Sequence, residues 1–177
     1  MSLRLFFGIA CPVLPSITQL QDELRNHRPG LRLVPPQNLH LTLRFLGAVD
    51  ASSVVAMCEH AKPILSDIGR FEMTLRGVGC FPRALWIGVE LPPHIHTLVV
   101  VLNKALTGLG FQQAEQGFCP HVTVARLRKS AGLAVTEELK ARYADFHFGR
   151  VSVDAVHLYS SEPGPDGVVY RAIHNFT

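Results

Sequence analysis

Two tetrads, His40-Leu41-Thr42-Leu43 and His121-Val122-Thr123-Val124, repeat the same residue types at the same spacing in the two parts of the chain. On a strand, residues i and i+2 share a face. Each tetrad would therefore present an imidazole and a hydroxyl on one side and two apolar side chains on the other. One such strand is an ordinary solvent-facing His and Thr. Two of them supply the parts for displacement at a phosphate ester. Opening a cyclic phosphodiester with water takes a base to deprotonate the water and, across phosphorus, an acid to protonate the departing ribose oxygen. Two imidazoles titrating near pH ~6.5 divide those tasks when one is neutral and the other protonated. The threonine hydroxyls suit the non-bridging phosphate oxygens, and an arginine their charge. The residues alone leave the two histidines interchangeable between acid and base.

This chemistry asks for no metal, and no cofactor is expected. The cysteines, Cys11, Cys58, Cys80 and Cys119, are scattered without a C-x-x-C pair, so reduced, buried thiols are the default. His94 and His96 follow Pro92-Pro93, but no third ligand shares their spacing, and they read as solvent-facing.

Strands and helices must bring the tetrads together. The pattern predicts a strand over residues 3–9 and a helix carrying Val13, Ile17, Leu20 and Leu24 that Pro29-Gly30 ends. An extended piece over 31–34 precedes the first tetrad strand, residues 40–46. Asp50 is placed to cap a helix with Val54, Met57, Ala61, Ile64 and Ile68 on one face, and Pro63 predicts a kink or late restart in it. Residues 71–78 and 85–90 read as a hairpin-like pair joined by the loop 79–83. A helix from Pro92-Pro93 carries Ile95, Leu98, Leu102, Leu106 and Leu109, and the second tetrad strand follows over 121–127. A weak helix near 134–143 and strands at 151–160 and 168–176 complete the chain, the last two flanking a Gly164-Pro165-Asp166-Gly167 turn.

The fold expected is α+β, with two pseudo-symmetric lobes. Each lobe would be an antiparallel sheet with flanking helices, and the groove between them would hold both tetrads. With 177 residues, 47% hydrophobic and 18% charged, and no Gly/Ser linker, residues 1–177 read as one domain of two intertwined lobes. No apolar run nears the roughly 20 residues of a membrane helix, and the start is too short for a signal peptide, so a soluble cytoplasmic protein with no membrane partner is expected. The net charge of +3 is too small to argue for nucleic acid by itself.

The chain resembles the two-histidine phosphoesterase superfamily and, within it, the bacterial and archaeal RNA 2′,3′-cyclic phosphodiesterases, historically called 2′-5′ RNA ligases. The likeness spans essentially the whole chain. Its landmarks are Arg4-Leu5-Phe6-Phe7, the stretch from Val34-Pro35-Pro36 through His40-Leu41-Thr42-Leu43-Arg44-Phe45-Leu46-Gly47, Gly79-Cys80-Phe81-Pro82, Leu85-Trp86-Ile87-Gly88-Val89, Pro120 through Arg126, and Leu158-Tyr159-Ser160-Ser161. The resemblance implies hydrolysis of a terminal 2′,3′-cyclic phosphate on RNA, such as a tRNA half, to a 2′-phosphate. It also implies reversible 2′-5′ ligation through the same site, with no obligate protein partner.

It further implies His40 as proton donor to the leaving 3′ oxygen, His121 as the base that activates water, and Thr42 and Thr123 on phosphate oxygens. Arg126 matches the family's phosphate-facing arginine. Strict alternation from His121 would aim it at the wrong face, so a bulge, or a strand that ends before Arg126, is needed. Phe81, in a Gly/Pro loop, is a candidate to stack a nucleobase, whereas Trp86, in an apolar strand, reads as core. Arg44 and Arg171 are candidates to line the groove, with solvated surface the default for both. A non-catalytic RNA or nucleotide binder of the same fold is the alternative, but binding alone would not need both histidines.

Overall fold

The computed structural model describes residues 2–26, 30–66, 68–112, 117–127, 133–165 and 167–177. Among these, nine strands and four helices follow one another as β1 (Ser2–Ala10), α1 (Pro15–Asn26), β2 (Leu31–Leu33), β3 (His40–Asp50), α2 (Val54–Leu65), β4 (Phe71–Phe81), β5 (Ala84–Glu90), α3 (Pro93–Gly108), β6 (His121–Leu127), α4 (Leu133–Arg142), β7 (His147–Val153), β8 (Val156–Gly164) and β9 (Gly167–Phe176). Among the described residues, no helix is long and apolar enough to cross a membrane.

The strands form one antiparallel sheet in the order β7-β4-β5-β6-β3-β1-β8-β9, with β2 added to β6. It divides into two four-stranded lobes, β3-β1-β8-β9 and β6-β5-β4-β7, that mirror each other about the β3–β6 junction. In each, a strand (β1 or β5) leads through a helix (α1 or α3) into a tetrad strand (β3 or β6). The expected α+β architecture with two pseudo-symmetric lobes is the one observed. The helices cross between the lobes: α1, leaving β1, packs on β6 and β7, and α3, leaving β5, packs on β3 and α2. Burying the apolar faces of these helices against the sheet makes the core, with Ile17, Leu20 and Leu24 from α1 and Ile95, Leu102 and Leu106 from α3 at most 1% exposed.

Several local expectations are corrected. The single strand over 151–160 is two: Val151 and Val153 end β7 at the far edge of one lobe, and Val156 starts β8 in the other. The alternation breaks where Ala155 and Val156 are both buried, so no single strand can keep all these side chains inside. The loop over 79–83 is shorter, because Phe81 pairs with Ala84 across a two-residue turn and ends β4. Asp50 does cap, accepting from the Ser52 amide at 3.0 Å, but on a short 3₁₀ turn ahead of α2. Pro63 lies in the last turn of α2, where the helix is about to end anyway. In the β8–β9 hairpin Gly164 pairs with Gly167, and Asp166 lies outside the described residues.

Candidate active site

The tetrad strands β3 and β6 meet at one pair, Leu41 opposite Val122. Both side chains are fully buried and seal the two lobes together. Extended by one residue each way, this antiparallel register sets His40 opposite Thr123 and Thr42 opposite His121. Each imidazole thus lies across from the other strand's threonine. All four polar side chains are half-buried on the groove face, while Leu41, Leu43, Val122 and Val124 point into the core. A central cavity of about 320 Å³ is lined by both histidines, both threonines, Arg126 and Phe81. The sequence-predicted residues therefore converge in one place.

Each imidazole is held by the same device. The Nδ1 of His40 lies 2.7 Å from the main-chain carbonyl of Asn38, and that of His121 lies 2.7 Å from the carbonyl of Cys119. A carbonyl only accepts, so Nδ1 carries the proton in both rings and Nε2 is left to do chemistry in the groove. Both carbonyls belong to the residue two positions before the strand begins, where the turn bends back on its own histidine.

Aromatic rings pack each imidazole in place. Phe6 and Tyr170 stand 4.8 and 4.9 Å from His40, and Phe81 and Trp86 stand 5.0 and 5.9 Å from His121. Trp86, expected in the core, lies half-buried behind His121, over Gly79, whose missing side chain leaves room for the indole. Burial lowers both imidazole pKa values from the ordinary 6.5; the carbonyl partners pull them back up, and the positive charge of Arg126 pushes both down. His40 is lowered further by His121.

Of the two ways round, a bulge or an early strand end, Arg126 reaches the groove by a bulge. Trp86 pairs with Thr123 and Leu85 with Ala125, so Val124 is an extra residue on β6. Val124 and Ala125 are then both fully buried, and Arg126 comes round to the polar face. Strand β3 does the same thing at the same place: Gly8 pairs with Thr42 and Phe7 with Arg44, which leaves Leu43 extra. Phe45 is thus the counterpart of Arg126, and both line the central cavity. The bulge also turns Arg44 inward. Expected on the surface, it is 5% exposed and donates to the main-chain carbonyl of Gln112.

The cavity continues on both sides. About 490 Å³ on the His121 side is lined by Thr42, Arg44, Phe118 and Gln112, and about 240 Å³ on the His40 side by Thr123, Arg126, Arg32 and Tyr170. Sequence reasoning missed Phe6, Phe45 and Tyr170, whose spacing reads as ordinary strand packing. It also missed Arg32, which has no motif. His94 and His96 are exposed, and Arg171 pairs with Glu162 at 3.1 Å on the surface. Among the cysteines, Cys11 and Cys58 are buried, but Cys119 is exposed at the cavity rim.

A family model described as the 2′-5′ RNA ligase superfamily matches residues 11–165. An RNA 2′,3′-cyclic phosphodiesterase of Methanothermobacter thermautotrophicus is 30% identical over 165 residues, covering 90% of this chain and 89% of that one. One from Thermotoga maritima is 30% identical over 164 residues, covering 89% and 84%. Among solved structures, a protein of Thermus thermophilus superposes with a TM-score of 0.82 at 28% identity, covering 98% of this chain and 97% of that one. E. coli LigT complexed with 3′-AMP superposes with a TM-score of 0.74 at 27% identity, covering 99% and 97%.

Proposed function

The chain belongs to the 2′-5′ RNA ligase superfamily, and from that premise we propose that it hydrolyses RNA 2′,3′-cyclic phosphate ends to 2′-phosphates by two-histidine acid–base catalysis. The observation that carries the reading is the two imidazoles that line one cavity with Arg126, each fixed through Nδ1 and free at Nε2. In the proposed step His121 takes a proton from water as its oxygen bonds to phosphorus. The bond from phosphorus to the 3′ oxygen breaks, and His40 gives that oxygen a proton. The product keeps the 2′ ester. The acid and base labels rest on the family resemblance, since the two rings are held alike.

Thr42 and Thr123 donate to the non-bridging oxygens, and Arg126 offsets the charge that builds on them. Phe81, beside His121 at the mouth, offers a face for a base. The same ring opening also joins ends: a 5′-hydroxyl in place of water on the His121 side would give a 2′-5′ bond as the 3′ oxygen leaves protonated, and the 490 Å³ cavity there has room for the second ribose. Water in excess favours hydrolysis. The proposed setting is the cytoplasm, in keeping with four free cysteines.

The test is an RNA ending in a 2′,3′-cyclic phosphate, incubated with the protein in EDTA and resolved by product. The expected product is the 2′-phosphate, formed at the same rate with chelator as without. An unchanged end, a 3′-phosphate product or loss of activity on chelation would each contradict the proposal.

A further inference from the structure

Resting on the phosphodiesterase reading, the geometry points to a second anion subsite: Arg32 and Arg126, facing each other across β2 and β6, take the 5′-phosphate of the terminal nucleotide. The groove would thereby select an RNA chain end over an isolated nucleoside cyclic phosphate.

Arg32 pairs directly with Arg126 in the antiparallel register of β2 and β6. Side chains so placed stand about 4.5–5.5 Å apart at Cβ, and like charges in that position repel. Neither guanidinium has an ion pair or hydrogen bond among the described residues, whereas Arg76 pairs with Asp145, Arg150 with Glu72 and Arg171 with Glu162. Two neighbouring cations on a cavity wall are what a bound anion would bridge, and the arginine fork fits phosphate oxygens.

The surroundings look built rather than incidental. Arg32 packs over Gly167, where a Cβ would overlap its guanidinium. Asn38, 6% exposed, fixes the facing wall: its Nδ2 donates to the Val168 carbonyl at 2.6 Å, and its Oδ1 accepts from the Tyr170 amide at 3.4 Å. The 240 Å³ cavity between these residues opens onto His40 and Thr123. Its position decides which phosphate it takes. If His40 protonates the 3′ oxygen, the terminal ribose lies on the His40 side. The group that this sugar carries at its 5′ carbon then extends toward Arg32, with Arg126 bridging the two phosphates.

The experiment compares kcat/KM for adenosine 2′,3′-cyclic phosphate with that for the same compound carrying a 5′-phosphate, using wild-type protein, Arg32→Ala and Arg32→Lys. Wild-type protein should prefer the 5′-phosphorylated substrate by about tenfold, the worth of one charge-assisted contact. Arg32→Ala should bring the ratio to about one, mainly through KM, and Arg32→Lys should keep part of the preference. Rings opened without preference by wild-type protein, or a ratio unchanged in Arg32→Ala, would overturn the subsite and leave the phosphodiesterase reading standing. Failure of wild-type protein to open either ring would overturn both.

Discussion

At the scale of single residues, the proposed site holds two imidazoles alike and sets a positive charge beside them. With Nδ1 committed to a carbonyl in each ring, protonation at Nε2 is the only variable. Burial first, and Arg126 after it, favours the neutral form of both. The pH dependence follows. A mechanism that needs one ring protonated and the other neutral has its kcat/KM optimum between the two free-enzyme pKa values, and both lie below 6.5, so the optimum falls on the acid side of that value. A bound phosphate anion raises both pKa values, so the optimum for kcat should lie at higher pH than that for kcat/KM. Arg126→Ala removes a positive charge that lowers both rings. It should cost about 10²-fold in kcat/KM and move the optimum upward. Steady-state profiles of the two proteins check this, and an unshifted optimum in the variant would show that Arg126 does not act on the histidines.

At the scale of elements, what the sequence could show was whatever depends on side-chain period. The strand before α1, the tetrad strands and the apolar stripes of α1 and α3 all follow from spacing two and spacing 3.6. The tetrads' polar faces were legible for the same reason. What was not legible depends on breaks in period. The twin bulges at Leu43 and Val124 look like any other apolar residue in a strand, and only the wrong-face position of Arg126 betrayed one of them. The inward turn of buried Arg44 follows from the other and went unseen. The division between β7 and β8 had a signal in adjacent Ala155 and Val156, but two short strands of matching pattern read as one long one. Arg32 carried no signal at all, because its meaning comes from a cross-strand partner. Asn38 belongs here too, since it ties the turn before β3 to β9 by two side-chain hydrogen bonds. Asn38→Ala should destabilise the fold by about 1–3 kcal/mol, because two hydrogen bonds worth about 0.5–1.5 kcal/mol each are lost. The His40 acceptor, a main-chain carbonyl, survives the change. Urea unfolding measures it, and an unaltered midpoint would mean that β9 is held by other contacts.

At the scale of the whole molecule, the proposed active site lies where the two pseudo-symmetric lobes join. Two lobes of matching order join edge to edge at Leu41 and Val122, with one histidine, one threonine and one bulge from each. Neither lobe has a complete acid–base pair, and the crossing of α1 and α3 between them makes the two interdependent. The sequence repeat suggested the pairing of lobes, but not the joined sheet or the exchanged helices, which only tertiary packing decides. Symmetry breaks two positions after each bulge, where Phe45 on one side stands in the place of Arg126 on the other. The proposed leaving-group side and water side rest on the family resemblance.

The division of labour between His40 and His121 is therefore the central claim. It is tested most directly with a substrate whose 3′ bridging oxygen is replaced by sulfur, a leaving atom that needs no proton, assayed against wild-type protein, His40→Ala and His121→Ala. With the oxygen substrate, each variant should lose on the order of 10²–10⁴-fold in turnover. With the sulfur substrate, His40→Ala should recover most of the wild-type rate while His121→Ala stays slow. Recovery of His121→Ala instead, or equal behaviour of the two variants, would contradict the assignment.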